Sequence, residues 1–353
     1  MFLTPQPLNL FYPFSNIKRG KMKIAINGFG RIGRVVCRIA LDNKINVVVI
    51  NDAHGVESAA YLLKHDSIYG RYAKEVKIDK NDLIVGGKRI KVIGEREITK
   101  LPWKKLGVDV VVESTGVFRD RENASVHLQN GAKYVLITAP ADNPDITIVP
   151  GVNHQKLKKE HKIISVASCT TNCLLPVVKV LNDNFGINRG LMTTVHAYTN
   201  DQAVHDEWHK KPRRGRAAGL NMIPTTTGAA ESIIAVLPEL AGRINGLAVR
   251  VPVACGSLVD LVAELNCEFD AVQINNVFKK AEQKEMKGIL EYSEEELVSS
   301  DIIGNPHSAI VDGKCTQVDG NLVKVLAWYD NEFGYSCRVV EVINMVKKWC
   351  GIF

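Results

Sequence analysis

Short apolar runs, each closing on a small, polar or acidic residue, recur along the first half of the chain. Ile24-Ala25-Ile26-Asn27, Val47-Val48-Val49-Ile50-Asn51-Asp52, Val108 to Val112, Tyr134 to Ile137, and Ile163, Ile164 and Val166 are the clearest. They are too short for helices and too continuously apolar for half-exposed strands, so they predict strands buried on both faces. Between the first two, Arg34 to Leu41 spaces its apolar residues helically. After Cys169 the pattern changes. Longer β-branched runs at 190–195, 246–251 and 257–262 alternate with helical stretches at 174–181, 227–240 and 272–287, and 338–346 forms an amphipathic terminal helix. That alternation predicts an α+β domain with a largely antiparallel or mixed sheet. Residues 200–221 are charged and aperiodic, and a loop of that length is usually functional or disordered.

A chain of 353 residues is long for one core, so two domains are expected. Hydrophobic residues (46%) and charged residues (24%) stand in the proportion of a water-soluble globular protein, and no apolar stretch is long enough to span a bilayer. The net charge of +7 suits anionic small molecules or a nucleic acid. Eight scattered cysteines do not form a disulfide framework, and a reduced, cytoplasmic setting is the simplest reading. Residues 1–21 carry three prolines and no acid, and lack the long apolar core of a secretory signal. They are read as an extension, disordered or preceding a true start at Met22.

The first strand runs into Gly28-Phe29-Gly30-Arg31-Ile32-Gly33, which opens the first helix. A second strand then ends in Asp52 about 20 residues on. Strand before, helix after and acid at that distance together make a dinucleotide fingerprint, where the glycine motif alone would not. The glycines let backbone N–H groups approach a pyrophosphate at the helix N-terminus. Asp52 is placed to bond both ribose hydroxyls and would repel a 2′-phosphate, so NAD is expected over NADP. Thr115 and Thr138 follow later strands, at the ends that line the ligand crevice of a doubly wound sheet.

Cys169 sits between a strand and the helical run 174–181, where the positive end of the helix would lower the thiol pKa. His196 closes a β-rich run 27 residues later. The two form the minimal couple for nucleophilic attack on a carbonyl carbon. Arg250, inside an apolar strand, calls for an anion, and a second anion seat is expected where Arg216 meets the hydroxyl-rich helix start at Thr227-Gly228. Lys210 to Arg216 is a basic run without interleaved aromatics, so it reads as an anion pocket or solvated loop, not a nucleic-acid surface. Cys173 lies one helical turn after Cys169 and is read as small and buried. No Cys/His cluster has zinc spacing, so no metal is expected. His54, His65, His127, His154 and His161 fall in polar contexts, with no chemistry expected.

These residues resemble phosphorylating glyceraldehyde-3-phosphate dehydrogenases from about Met22 to the terminal helix. Ile26 to Arg34, Ala167 to Cys173 and Trp328 to Ser336 carry the resemblance, the second almost diagnostic. It implies an α/β protein: a Rossmann-type NAD-binding domain over 22–168, completed by a helix at about 332–353, and a catalytic domain over 169–331. It implies that Cys169 attacks the aldehyde of D-glyceraldehyde 3-phosphate, that His196 handles the protons, and that inorganic phosphate cleaves a thioester to 1,3-bisphosphoglycerate. Thr199 and Arg250 would hold the substrate phosphate. Ser168, Thr170, Arg216, Thr227 and Gly228 would hold the attacking one, and Arg31, Ile32, Asp52, Arg96, Thr138 and Asn331 the cofactor. The family's homotetramer is implied as well. Val166 and Ala254-Cys255-Gly256 depart from the family pattern, as does Glu207-Trp208 in the loop. The rival reading is the related erythrose-4-phosphate dehydrogenase, which Asn305 to Gly313 resembles, although an enzyme finishing with water has no need of the Thr225–Gly228 seat. A role in binding nucleic acid or a surface would at most be a second one.

Overall fold

The computed structural model describes residues 22–350. The expectations for residues 1–21 lie outside them. The described chain forms two units: one of residues 22–148, 154–167 and 336–350, the other of residues 149–153 and 168–335.

The first unit holds strands β1 (Ile24–Asn27), β2 (Val47–Asn51), β3 (Val76–Asp79), β4 (Asp82–Val85), β5 (Lys88–Ile93), β6 (Val110–Glu113), β7 (Tyr134–Ile137), β8 (Ile146–Thr147) and β9 (Ile163–Ser165). They form one sheet in the order β3-β4-β5-β2-β1-β6-β7-β9-β8. From β5 to β8 every pairing is parallel, as the buried apolar runs predict. The edge is different. β3, β4 and β5 form an antiparallel meander, which makes the sheet mixed where a parallel one was expected. Gly86-Gly87, both at positive φ, turn β4 into β5, the backbone that a two-residue hairpin needs. Helices α1 (Arg31–Asp42), α2 (Gly55–Lys64), α3 (Trp103–Leu106) and α4 (Arg121–Gln129) connect the strands. Ala25, Val49 and Val111 pack with Trp103 and Val108 in one cluster, while Val135, Ile137 and Ile163 pack with Ala124 of α4 in another.

The second unit is built on strands β10 (Ile187–Ala197), β11 (Ile223–Thr225), β12 (Ile244–Val251), β13 (Ser257–Leu265), β14 (Leu290–Ser293), β15 (Ala309–Asp319) and β16 (Leu322–Tyr329). Their order is β11-β12-β10-β13-β16-β15-β14, with β10–β12 and β14–β15 parallel and the other neighbours antiparallel. This is the expected mixed α+β sheet. The parallel pair sets the chemistry, because its register puts His196 opposite Arg250. Helix α5 (Cys169–Phe185) packs on β10, β13, β15 and β16 and against α7 (Ala271–Gln283). Asp270 and Gln273 start α7 with a capping box. Helix α6 (Ala229–Val236) begins later and ends earlier than its apolar spacing predicts, giving way to a 3-10 turn at Pro238–Leu240. Proline has no N–H to continue an α-helix. Helix α8 (Phe333–Lys347) follows β16, and its residues from Ser336 onward belong to the first unit, where Arg338 and Glu341 pair in full burial at 2.7 Å.

Candidate active site

Helix α5 starts at Cys169. The Ser168 hydroxyl caps it, accepting from the Thr171 N–H at 3.0 Å. Ala167, just before, sits at φ +55, a left-handed conformation that costs a non-glycine residue about 1 kcal/mol. The thiol is thereby held at the helix start, half-buried, with Sγ 3.4 Å from His196 Nε2. The other imidazole nitrogen settles the tautomer. Nδ1 lies 2.7 Å from the Ala197 carbonyl, which can only accept, so Nδ1 carries the proton and Nε2 is the free lone pair facing sulfur.

Burial pushes the His196 imidazole down to about 3, and the neighbouring Arg250 and Arg214 charges push it the same way. Burial also pushes the Cys169 thiol up, against the expected lowering by the turn; Arg250 and the hydrogen bonds at the start of α5 offset part of that. Each group alone is therefore biased toward neutrality. A proton passing from sulfur to Nε2 instead creates an ion pair whose attraction at this distance opposes the burial cost, so the two titrate as a unit.

Arg250 donates to the Ala197 carbonyl at 3.1 Å and to Thr199 Oγ1 at 3.2 Å. Its Nε is buried without a partner, and burial lowers its pKa. A guanidinium held this way, with hydroxyl and carbonyl partners and no carboxylate hydrogen bond among the described residues, is arranged for an anion. Ser257 Oγ accepts from the Ala197 N–H at 3.1 Å and donates to Asn331 Oδ1 at 2.9 Å. Gly256 N–H donates to the same oxygen, so the Asn331 amide is fixed with its oxygen turned inward.

In the first unit, Gly28 takes φ +91 and lies so close to the turn after β6 that a Cβ would meet Thr115 N at 2.6 Å. Gly30, the N-terminal cap of α1, makes no side-chain cap, and a Cβ there would meet nothing within 4 Å. Open space at the start of a helix is what a pyrophosphate requires. The Asp52 carboxylate, at the end of β2, is held by the His54 N–H at 3.1 Å. These residues fit a dinucleotide.

Comparison with known proteins agrees. The model of the glyceraldehyde 3-phosphate dehydrogenase NAD binding domain matches residues 22–121, and that of the C-terminal domain matches residues 168–331. The chain belongs to the glyceraldehyde-3-phosphate dehydrogenase family. It is 55% identical over 329 residues to glyceraldehyde-3-phosphate dehydrogenase 2 of Bacillus subtilis, covering 92% of this chain and 97% of that one. It is 55% identical over 330 residues to the Geobacillus stearothermophilus protein, covering 93% and 98%. Against the Thermotoga maritima glyceraldehyde-3-phosphate dehydrogenase it is 53% identical over 330 residues, covering 92% and 99%.

Within this family member, some expected site residues are placed differently. The Arg216 side chain is 62% exposed and pairs with Asp206 at 2.7 Å. Arg214, two residues earlier, is 15% exposed and is the loop arginine whose charge reaches both His196 and Arg250. It bonds Thr225 Oγ1 at 3.0 Å, the Thr226 carbonyl and Asp201, just before Thr227 and the Gly228 cap of α6. Thr227 Oγ1 accepts from the Ala229 N–H at 3.3 Å. Thr170 is buried, and its hydroxyl shares a hydrogen bond with the Tyr329 hydroxyl, which also meets Thr194 at 2.8 Å. Arg31 pairs with Asp66 at 2.6 Å, and Arg96 is exposed. Thr138 Oγ1 donates to the Glu113 carbonyl at 3.2 Å. Ile32 is half-buried on the first turn of α1. Cys173 is fully buried, as expected, its thiol 3.7 Å from the Ala327 carbonyl. His127 is not at a polar surface: it is wholly buried, because Ala124, His127 and Leu128 form the inner stripe of α4. That i, i+3, i+4 spacing was the signal.

With His196 replaced by Asn, Cys169 must ionise alone against its burial. Alkylation of the Cys169 peptide by iodoacetamide at pH 7 is expected to slow at least tenfold, its rising limb to move to higher pH, and turnover to fall roughly a hundredfold or more. An unchanged alkylation profile would remove His196 from its role.

Proposed function

We infer that this protein is an NAD-dependent oxidoreductase of glycolysis with glyceraldehyde-3-phosphate dehydrogenase activity. The family membership supports it, and the observation that carries it is the proton-free Nε2 of His196 facing the Cys169 sulfur beside an arginine with no carboxylate hydrogen bond. Cys169 adds to the aldehyde carbon while its proton passes through Nε2 to the carbonyl oxygen, forming a thiohemiacetal. Nε2 then takes that hydroxyl proton back as the carbon gives up hydride. NAD, when bound, supplies the hydride acceptor. The product is a thioester on Cys169. Inorganic phosphate attacks its carbonyl carbon, the C–S bond breaks, and 1,3-bisphosphoglycerate leaves while the thiol regains its proton. A thioester retains oxidation energy that release to water would dissipate, which is why the nucleophile is sulfur.

Thr199 and Arg250 hold the substrate phosphate. Arg214, Ser168, Thr170, Thr227 and Gly228 frame the attacking phosphate. Gly28, Gly30, Arg31, Ile32, Gly33, Asp52, Arg96, Thr115, Thr138 and Asn331 serve NAD. Eight free thiols support a reduced, cytoplasmic setting. Leu191 and Leu247 on the seven-stranded sheet and Leu220 and Met222 after the loop are exposed, which supports burial between subunits of a homotetramer. Sedimentation should give about four times the 39.0 kDa chain mass, and a monomer would refute that assembly.

NADH formation should require phosphate and favour the three-carbon aldehyde over erythrose 4-phosphate, with NAD at least tenfold more efficient than NADP. Rates indifferent to phosphate would point to the erythrose-4-phosphate enzyme, and equal cofactor efficiencies would mean that Asp52 does not discriminate. Arg214→Leu should raise the KM for phosphate tenfold or more and Arg216→Leu less than threefold. The reverse order would return the role to Arg216.

A further inference from the structure

Beneath the dinucleotide fingerprint lies a continuous chain of buried polar side chains. The Trp103 indole N–H donates to His127 Nδ1 at 2.9 Å. An indole only donates, so Nδ1 is unprotonated and His127 must donate from Nε2, which it does to Glu113 Oε2 at 3.0 Å. Asn27 Nδ2 donates to the same oxygen at 2.6 Å, and the Thr115 N–H and hydroxyl both donate to Oε1. Asn27 Oδ1 accepts in turn from Asn51 Nδ2 at 2.7 Å. Asn51 closes a two-way clasp on the backbone of Glu95, donating to its carbonyl at 2.8 Å and accepting from its N–H at 2.9 Å. Trp103, His127, Glu113, Asn27 and Asn51 are all less than a tenth exposed.

The direction of every bond is forced. The clasp on Glu95 allows Asn51 one amide orientation, which fixes that of Asn27, which presents its N–H to Glu113. Trp103 fixes His127 in the same way from the other end. Glu113 receives four donors and has no acceptor to serve, a setting that suits a carboxylate and nothing else of its size.

Three of its residues immediately precede a residue assigned to the cofactor, Asn27 before Gly28, Asn51 before Asp52 and Glu95 before Arg96, and Glu113 lies two before Thr115. We propose that Glu113, through this chain, is the positioning residue that holds four separate strand-end loops in the geometry that binds NAD. The proposal rests on the NAD reading above. Neither Glu113 nor His127 touches the reacting atoms in it.

Glu113→Gln tests it. The new amide NH2 must face either the Thr115 N–H, which cannot accept, or the donors of Asn27 and His127, which the Glu95 clasp and Trp103 respectively hold in place. The dissociation constant for NAD, followed by protein fluorescence, should rise tenfold or more. The alkylation rate of Cys169 without NAD should stay within twofold, because that thiol lies in the other unit. A lowered melting temperature with unchanged NAD affinity would make Glu113 merely structural and overturn the proposal, as would NAD affinity and Cys169 reactivity falling together. Should the Gln variant not fold, Asn51→Ala removes the clasp and its link to Asn27 while leaving the Glu113 carboxylate in place, and is expected to weaken ADP-ribose binding fivefold or more; unchanged binding overturns the proposal. NAD binding by the unaltered protein is the control that separates the two readings, since its absence would sink the cofactor assignment itself.

Discussion

One hydrogen bond decides what this site is able to do: His196 Nδ1 gives its proton to the carbonyl of the next residue, Ala197. Without that bond either imidazole nitrogen would be free to carry the proton, and half of the arrangements would aim an N–H at the sulfur instead of a lone pair. The same carbonyl also accepts from Arg250, so imidazole and guanidinium are tied to a single backbone atom. A shift of that peptide would disturb both. The adjoining N–H is equally engaged, held by Ser257, which continues to Asn331. The imidazole is therefore oriented by backbone geometry, and no carboxylate is needed behind it.

That economy has an electrostatic side. A buried imidazole near two arginines is a poor place for a lasting positive charge, and a buried thiol is a poor place for an isolated negative one. The arrangement keeps the proton within the Cys169–His196 pair, so charge separation persists only as an ion pair or in contact with an anionic ligand. Arg250, with an unpartnered Nε, contributes most when an anion is present to complete it.

Much of this was legible from residues alone. The continuous apolar runs marked the buried parallel strands, because a strand covered on both faces has no polar side to show. Cys169, His196 and Arg250 were legible because each is chemically out of place in its surroundings. Harder to see was the β3–β5 meander, whose short strands mix apolar with charged residues, although Gly86-Gly87 between two such runs marked the hairpin. Which loop arginine turns inward was not legible for another reason. The loop's internal pairing with Asp201 and Asp206 decides which arginine turns inward, and no local periodicity records a pairing made across ten residues or more. His127 was misplaced because its polarity outweighed its position on the inner stripe of α4.

The parallel pairing of β10 with β12 has a topological consequence. Two parallel neighbours cannot be joined by a tight turn, so the chain must travel the length of the sheet and return before Arg250 can lie beside His196. That obligatory detour contains the charged loop with Arg214, the Thr225–Gly228 segment and α6. The anion-binding furniture of the second unit is thus the crossover itself. Its closure entropy must be overcome before the base and its arginine first meet, so these contacts belong among the slower ones to form as the chain folds.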